Sequence, residues 1–450
     1  MLNIHLMDLK VNSTKQLTGL IYAPGSKSYS HRAFIAAAFA EGPSMIRNAL
    51  TTGDVEVTMN ILRELGINIL KETQEGLYDS YMISQTKNFL KPTDKIIDCK
   101  NSGTSIRIFS ALSLLIEGGL SFTGEFLKRK RPIIPLLDSL KNLGGTFKFL
   151  ENSLKIERTE NICDIIKIQG DISSQFITAL LFVSSLLKCQ KKGPIEIQVT
   201  TPLVSYPYIQ ITLDVLRSFG VNLVEKIDGE KKGKYIITCA QNLRSQLYEI
   251  PGDFSSCAFL IAAACLSPEL SDITINNLNY SNPQGDKKII EILQNMGANI
   301  ILNHEDNSVH IKSSITSYPL EGLKIDCSDI PDLFPILSVI GAFAKGSTVL
   351  FNASTVRLKE SDRISVMARE LTKMGATVEE REDKLTIFHC EKLRGIEVNH
   401  ENDHRIAMAC CIASLYCETP SYIKNIEIIR DSYPKFAEDL KTLQAQIELI

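Results

Sequence analysis

The seven residues Arg357-Leu-Lys-Glu-Ser-Asp-Arg363 hold three cations and two carboxylates. On a helix Lys359 and Arg363 would share a face and repel one another unless an anion lay between them, although Glu360 and Asp362 could equally lace a plain amphipathic surface with ion pairs. With Asp332 at the head of an apolar run before it, the cluster reads as a clamp for phosphate or carboxylate with acid–base groups beside it. Similar groupings recur: Lys27 and Arg32 in Pro24-Gly-Ser-Lys-Ser-Tyr-Ser-His-Arg32, Arg107 in Asn101-Ser-Gly-Thr-Ser-Ile-Arg107, Arg129-Lys-Arg131, and Arg405 in Asn402-Asp-His-Arg405. The chain carries 49 Lys and Arg against 52 Asp and Glu, a formal net charge of −3. Positive charge is therefore local. That argues against a general nucleic-acid or anionic-membrane footprint and points to a small anionic ligand.

Two motifs suggest chemistry that their neighbours exclude. Pro24-Gly-Ser-Lys-Ser28 invites a P-loop, but serine rather than glycine precedes the lysine, and no glycine stands five before Gly25. Pro24-Gly25 instead makes a turn from which Lys27, Ser28 and Arg32 face an anion at a helix N-terminus. Gly103 follows the same logic, because a Cβ there would occupy space a ligand could use. His400-Glu-Asn-Asp-His404 spells the zinc-peptidase motif, which needs both histidines on one face of a continuing helix. Residues 395–399 read as a strand and Asn402-Asp403 as a helix N-cap, so the histidines straddle a corner and no metal is expected.

Repeated elements must position these groups. The phrase Leu-x-x-(Leu/Phe/Met)-Gly, a helix end with glycine at the C′ position, closes at Gly66, Gly144, Gly220, Gly297 and Gly375, with spacings of 78, 76, 77 and 78 residues. A degenerate sixth copy closes at Gln444. A second set of helices is predicted to begin near Ser28, Gly103, Ser173, Ser255, Asp332 and Asp403. Their bodies are apolar on nearly every side, which marks interior helices. Their first turns are polar and offer N–H groups and the positive dipole end. The expectation is an α/β (α+β) chain of six βα-rich units, three per domain, with helices inside and sheets outside. One domain is 25–250 and the other is discontinuous, 1–24 with 251–450, the midpoint crossing lying at Glu249-Ile-Pro-Gly-Asp253.

At 450 residues, 44% hydrophobic and 22% charged, the composition is that of a globular chain with room for two cores. The longest apolar runs, 105–116, 176–187, 257–266 and 333–344, are 10–12 residues and too short to span a membrane. Residues 1–6 lack the regions of a signal peptide. Eleven cysteines without a C-x-x-C pair predict reduced, mostly buried thiols rather than a disulfide framework, and a cytoplasmic setting.

Taken in order, the phrases resemble the 3-phosphoshikimate 1-carboxyvinyltransferase (EPSP synthase) family of enolpyruvyl transferases. The matching residues are Pro24-Gly-Ser-Lys-Ser28 with Arg32, Asn101-x-Gly-Thr-x-x-Arg107, Arg131-Pro132, Gly170-Asp-x-Ser-Ser-Gln175, Gly252-Asp-x-Ser-Ser256, Gln284-Gly-Asp286, Pro331-Asp332, Arg357-x-Lys-Glu-x-Asp-Arg363 and Asn402-Asp-His-Arg405. The resemblance implies a two-domain inverse α/β barrel of βαβαββ-like repeats with its active site in the interdomain cleft. It implies transfer of the enolpyruvyl group of phosphoenolpyruvate to the 5-hydroxyl of shikimate 3-phosphate, with release of phosphate, on the shikimate pathway to chorismate. A monomer without metal or organic cofactor, nucleic acid or membrane partner is implied.

The resemblance also implies roles. Asp332, Glu360 and Lys27 would carry the acid–base chemistry. Lys27, Ser28, Arg32, Ser173, Ser174, Gln175, Ser205, Asp332, Thr355 and Lys359 would hold shikimate 3-phosphate. Lys27, Gly103, Arg131, Gln175, Arg363 and Arg405 would hold phosphoenolpyruvate, with Arg107 supporting the Gly103 turn. Four positions depart from the family's usual pattern: Asp431 stands where lysine is usual, Thr355 where asparagine is, Ile108 in place of proline and His31 in place of asparagine. The UDP-N-acetylglucosamine enolpyruvyl transferases fit less well, because their start motif and loop cysteine are absent. A degenerate, non-catalytic copy is opposed by Lys27, Asp332, Glu360 and Arg405.

Overall fold

The computed structural model describes residues 7–72, 79–160, 162–189 and 193–450; the signal-peptide reading rests on residues 1–6 and lies outside them. The chain divides into two compact α/β units, Met1–Ser26 with Pro251–Ile450, and Lys27–Ile250. The first crossing falls two residues beyond Pro24, because Gly25 and Ser26 are held by the first unit. Gly25 forms a bridge with Gly252, and the Ser26 N–H donates to the Pro251 carbonyl at 2.9 Å. Gly252 is packed so closely that a Cβ would lie 1.9 Å from the Asn277 carbonyl oxygen.

Among the described residues each unit contains three four-stranded sheets of one pattern, a parallel pair followed by two antiparallel partners. Ile96–Asp98 runs parallel to Leu120–Thr123, which pairs antiparallel with Leu154–Arg158, and that strand with Gly145–Phe149. The sheets built on Ser44–Arg47 and Ile195–Val199 repeat it within Lys27–Ile250. Those built on Ser271–Asn276, Ser347–Phe351 and Ser421–Ile423 repeat it in the other unit. In the last, the N-terminal strand Leu9–Val11 lies between Ser421–Ile423 and Ile447–Leu449, with Leu9 opposite Ile423 and Leu449. In the central strands alternate residues are buried, as in Ile195–Val199, so these strands lay one face on the core.

The cores are filled by helices buried nearly all round. They are α1 (Lys27–Ala38), α2 (Gly103–Leu112) and α3 (Ser174–Leu186) in one unit, and α4 (Phe254–Leu266), α5 (Phe334–Phe343) and α6 (His404–Ser414) in the other. Every residue of α4 is buried, as its run of Ala, Ile, Leu and Phe requires. The helix-closing glycines 66, 144, 220, 297 and 375 all have positive φ, and Gln444, the degenerate copy, holds φ +70° without glycine's freedom. No helix among the described residues is long and apolar enough to cross a membrane.

The expectation of reduced thiols fails at one pair. Cys163 and Cys189 form a disulfide with Cα atoms 5.8 Å apart, while the nine other cysteines are free. A separation of 26 residues leaves no local trace in the sequence.

Candidate active site

In the unit Lys27–Ile250, α1 opens with Lys27 and Ser28. The Lys27 ammonium lies 2.7 Å from the Asp54 carboxylate, in the first turn of the helix Gly53–Glu64. Further along α1, Arg32 is 2% exposed. Its Nε donates to Thr212 Oγ1 at 2.8 Å, and its Nη atoms donate to Thr178 Oγ1 and to the carbonyls of Ser28 and Tyr208. These partners are all neutral oxygens, and burial lowers the Arg32 pKa to about 10. A buried guanidinium without a carboxylate gains from an incoming anion. His31, between them, is buried; burial, with the charges of Lys27 and Arg32 added, holds it well below its usual pKa and therefore neutral. Its Nδ1 meets Thr58 Oγ1 at 2.8 Å, and the chain continues through Ser105 to Ser102, which caps α2 just before Gly103.

Arg107 and Arg131 flank Gly103. A Cβ there would lie 3.2 Å from Arg107 Nη1 and from Arg131 Nη2, and 3.3 Å from the Phe126 ring. The Arg107 guanidinium donates to the Pro132 carbonyl and to Gln175 Oε1, and lies over Phe126 and Phe176 at 5.0 and 5.3 Å. Arg131 donates to the Asn101 carbonyl at 2.9 Å and also lies over the Phe126 ring, at 5.1 Å. Gln175 Nε2 donates to Thr104 Oγ1 at 3.0 Å, which ties α3 to α2 at their first turns. Ser173 caps α3 by accepting from the Gln175 N–H, and Ser174 is its buried first residue. Ser205 holds φ +53° at the head of the helix Tyr206–Ser218, which carries Arg32's partners Tyr208 and Thr212. Such strain in a non-glycine residue gathers at functional sites.

In the other unit the charged segment is not a helix up to Arg363. A 3₁₀ turn, Ser354–Leu358, precedes the helix Arg363–Met374, whose N-cap is Asp362. Arg357 binds Asp362 at 2.7 Å and Glu380 at 2.9 Å, in a separate network. Lys359 and Arg363 therefore share no helical face, yet their charges meet at an anion, the protein's own Asp332. Arg363, 1% exposed, binds Asp332 at 2.8 Å, Glu360 at 2.7 Å and Asp403 at 2.8 Å. Asp332 also lies 3.5 Å from the Lys359 ammonium and 3.2 Å from Arg405.

Burial alone would pull Arg363 down, but the carboxylates of Asp403, Glu360 and Asp332 outweigh it and hold the guanidinium above its usual pKa. Burial lowers Lys359, with Asp332 opposing and Arg363 adding to the effect. For Asp403 burial is overcome by Arg363, so the carboxyl sits below its usual value; Ser361 and the Arg405 N–H also donate to it. Asp286 accepts from the Ser255 hydroxyl, and burial together with the charge of Asp332 raises its pKa to about 7. Asp253, which accepts from Ser256, is raised by burial too, with Arg405 opposing. Thr355 Oγ1 is buried without a hydrogen-bond partner among the described residues.

The histidine motif behaves as its neighbours dictate. Asp403 caps α6, His404 is its first residue, and His400, outside the helix, lies 2.8 Å from the Lys424 carbonyl through Nε2. Asp431 is the half-buried last residue of the 3₁₀ turn Ile426–Asp431. Sequence reasoning missed Asp54, Thr178, Thr212 and Phe126. Asp54 alone carried a signal, as an acidic residue in a helix's first turn.

One unit thus holds buried cations on neutral oxygens and aromatic faces; the other meshes three cations with carboxyl groups. This is the equipment of α/β proteins that hold phosphate- and carboxylate-bearing substrates and manage protons beside them. The sequence pattern of the family described as EPSP synthase (3-phosphoshikimate 1-carboxyvinyltransferase) matches residues 11–440, and the chain belongs to that family. Relatives named 3-phosphoshikimate 1-carboxyvinyltransferase from Methanococcus vannielii and Methanocaldococcus jannaschii are each 41% identical, over 98% of this chain and 100% and 99% of theirs. A solved structure of EPSP synthase from Acinetobacter baumannii matches with a TM-score of 0.76 at 25% identity, covering 99% of this chain and 100% of that one.

Proposed function

We propose that this chain transfers the enolpyruvyl group of phosphoenolpyruvate to the 5-hydroxyl of shikimate 3-phosphate, releasing inorganic phosphate, as a cytoplasmic monomer of the shikimate pathway without metal or cofactor. The six like sheets with their buried helices are repeats of an inverse α/β barrel. The observation that carries the reading is Asp332, a carboxylate in contact with Arg363, Lys359 and Arg405.

Lys27, Ser28 and Arg32 hold shikimate 3-phosphate, with Ser173, Ser174 and Ser205 about its phosphate and Thr355 and Lys359 on its ring. Arg363, Arg405, Arg131 and the Gly103 backbone take phosphoenolpyruvate, and Gln175 lies between the substrates. The entering anion competes with Asp332 and Glu360 for Arg363 and frees both carboxylates for proton transfer. As the 5-hydroxyl oxygen bonds to C2, Asp332 accepts its proton while Glu360 or Lys27 protonates C3, giving a tetrahedral ketal phosphate. In the second step C3 returns a proton, the C2–O bond to phosphate breaks, and the enol ether is left. Purified protein given carbon-13-labelled phosphoenolpyruvate and shikimate 3-phosphate is expected to yield an enol ether carrying the label, heavier than shikimate 3-phosphate by one enolpyruvyl unit. Recovery of both substrates unchanged would refute the reading.

A further inference from the structure

The Cys163–Cys189 pair lies outside every residue assigned to a substrate, and one side chain is built around it. Arg158, ending the strand Leu154–Arg158, is anchored through Nε on the Leu143 carbonyl at 3.0 Å. Its Nη2 donates to the Ile162 carbonyl at 3.3 Å and lies 3.7 Å from Cys163 Sγ, while Nη1 donates to the Lys188 carbonyl at 3.2 Å. A single guanidinium therefore grips the residue before each cysteine and sets a positive charge beside one sulfur. Both cysteines are half-buried, within reach of a small reagent, whereas seven of the nine free thiols are buried.

We propose that Cys163 and Cys189 are a reversible redox modification site, a dithiol that low-molecular-weight disulfides close and thiol reductants reopen, with Arg158 aligning the pair and favouring the Cys163 thiolate. The Cys163 thiolate attacks one sulfur of the small disulfide, breaks its S–S bond and expels one thiolate. Cys189, as its thiolate, then attacks the Cys163 sulfur of the mixed disulfide and expels the second. The two cysteine sulfurs lose two electrons, and the small disulfide becomes two thiols that take up the two protons released. Closure makes a ring that encloses the strand Ile166–Ile168, residues 173–175 and all of α3. It therefore restrains the unfolded form of a segment that the proposed function places against shikimate 3-phosphate. The site itself does not depend on that reading.

The full chain is reduced, treated with glutathione disulfide, alkylated and digested without reductant. A peptide linked through Cys163 and Cys189 is expected, with the other nine cysteines alkylated. The oxidised protein is expected to melt roughly 5–10 °C above the reduced one, a shift absent from a Cys163→Ser, Cys189→Ser double variant. Arg158→Gln is expected to slow closure about tenfold. Alkylation of both cysteines after oxidant, or their pairing with other cysteines, would overturn the site; an unchanged rate in Arg158→Gln would overturn the part given to Arg158.

Discussion

Asp332 is where three cations from separate elements converge, Lys359 from the loop before the helix Arg363–Met374, Arg363 from its start and Arg405 from α6. Asp332→Asn keeps the shape and removes the proton acceptor. Turnover is expected to fall at least about a thousandfold, within the range for a lost general base, while calorimetry finds shikimate 3-phosphate still bound. Turnover near that of the parent would remove Asp332 from the acid–base set. Gly103 is tested by a single methyl group. Because its Cβ would stand 3.2 Å from two guanidiniums, Gly103→Ala is expected to raise the KM for phosphoenolpyruvate about tenfold and leave that for shikimate 3-phosphate nearly unchanged. Equal rises in both would mean that the substitution disturbs α2 rather than the anion site. These residues were legible because their types are demanding and their neighbours short-range: Gly103 beside Asn101 and Arg107, or Arg405 after an N-cap. The partners of Lys27 and Arg32 were not, since Asp54, Thr178 and Thr212 reach them from other helices.

At the scale of elements, α6 depends on Asp403, which caps it and binds Arg363. Asp403→Asn leaves a buried guanidinium short of charge and is expected to cost about 3–5 kcal/mol in chemical unfolding, the usual loss when one partner of a buried ion pair is removed. A loss within 0.5 kcal/mol, about that of an ordinary surface change, would show that the other carboxylates suffice. Asp286, in the turn Gly285–Lys287, works in the opposite sense. Its folded pKa of about 7 exceeds the unfolded value of about 3.9. Between these the folded protein keeps a proton that the unfolded chain has lost, so stability falls as pH rises through the window, by up to about 1.4 kcal/mol per unit. Asp286→Asn removes this dependence, and its stability relative to the parent is expected to improve from pH 4.5 to 7.5 in urea unfolding. A constant difference would mean that Asp286 is ionised when folded. Helix ends were readable from Leu-x-x-x-Gly, and the six buried helices begin within two residues of the sequence expectation. The segment 357–362 was ambiguous because an i, i+4 charge pair suits helix and turn alike; Asp362, an N-cap before an apolar-periodic run, was the better guide.

For the whole molecule, the repeat spacing near 77 residues raised the expectation of like units, because a helix apolar on nearly every side needs neighbouring elements around it to be buried. The disulfide joins residues 26 apart and left no sequence signal, whereas Leu9–Val11 pairs with Ser421–Ile423 and Ile447–Leu449 in the half of the chain to which the sequence expectation joins residues 1–24. Phosphate release reads the proposed transfer itself. Purified protein is given phosphoenolpyruvate and shikimate 3-phosphate with EDTA present, and each substrate is omitted in turn. Phosphate is expected only when both are supplied, at a rate the chelator leaves unchanged. Phosphate from phosphoenolpyruvate alone, or none from the pair while shikimate 3-phosphate binds, would contradict the proposed transfer.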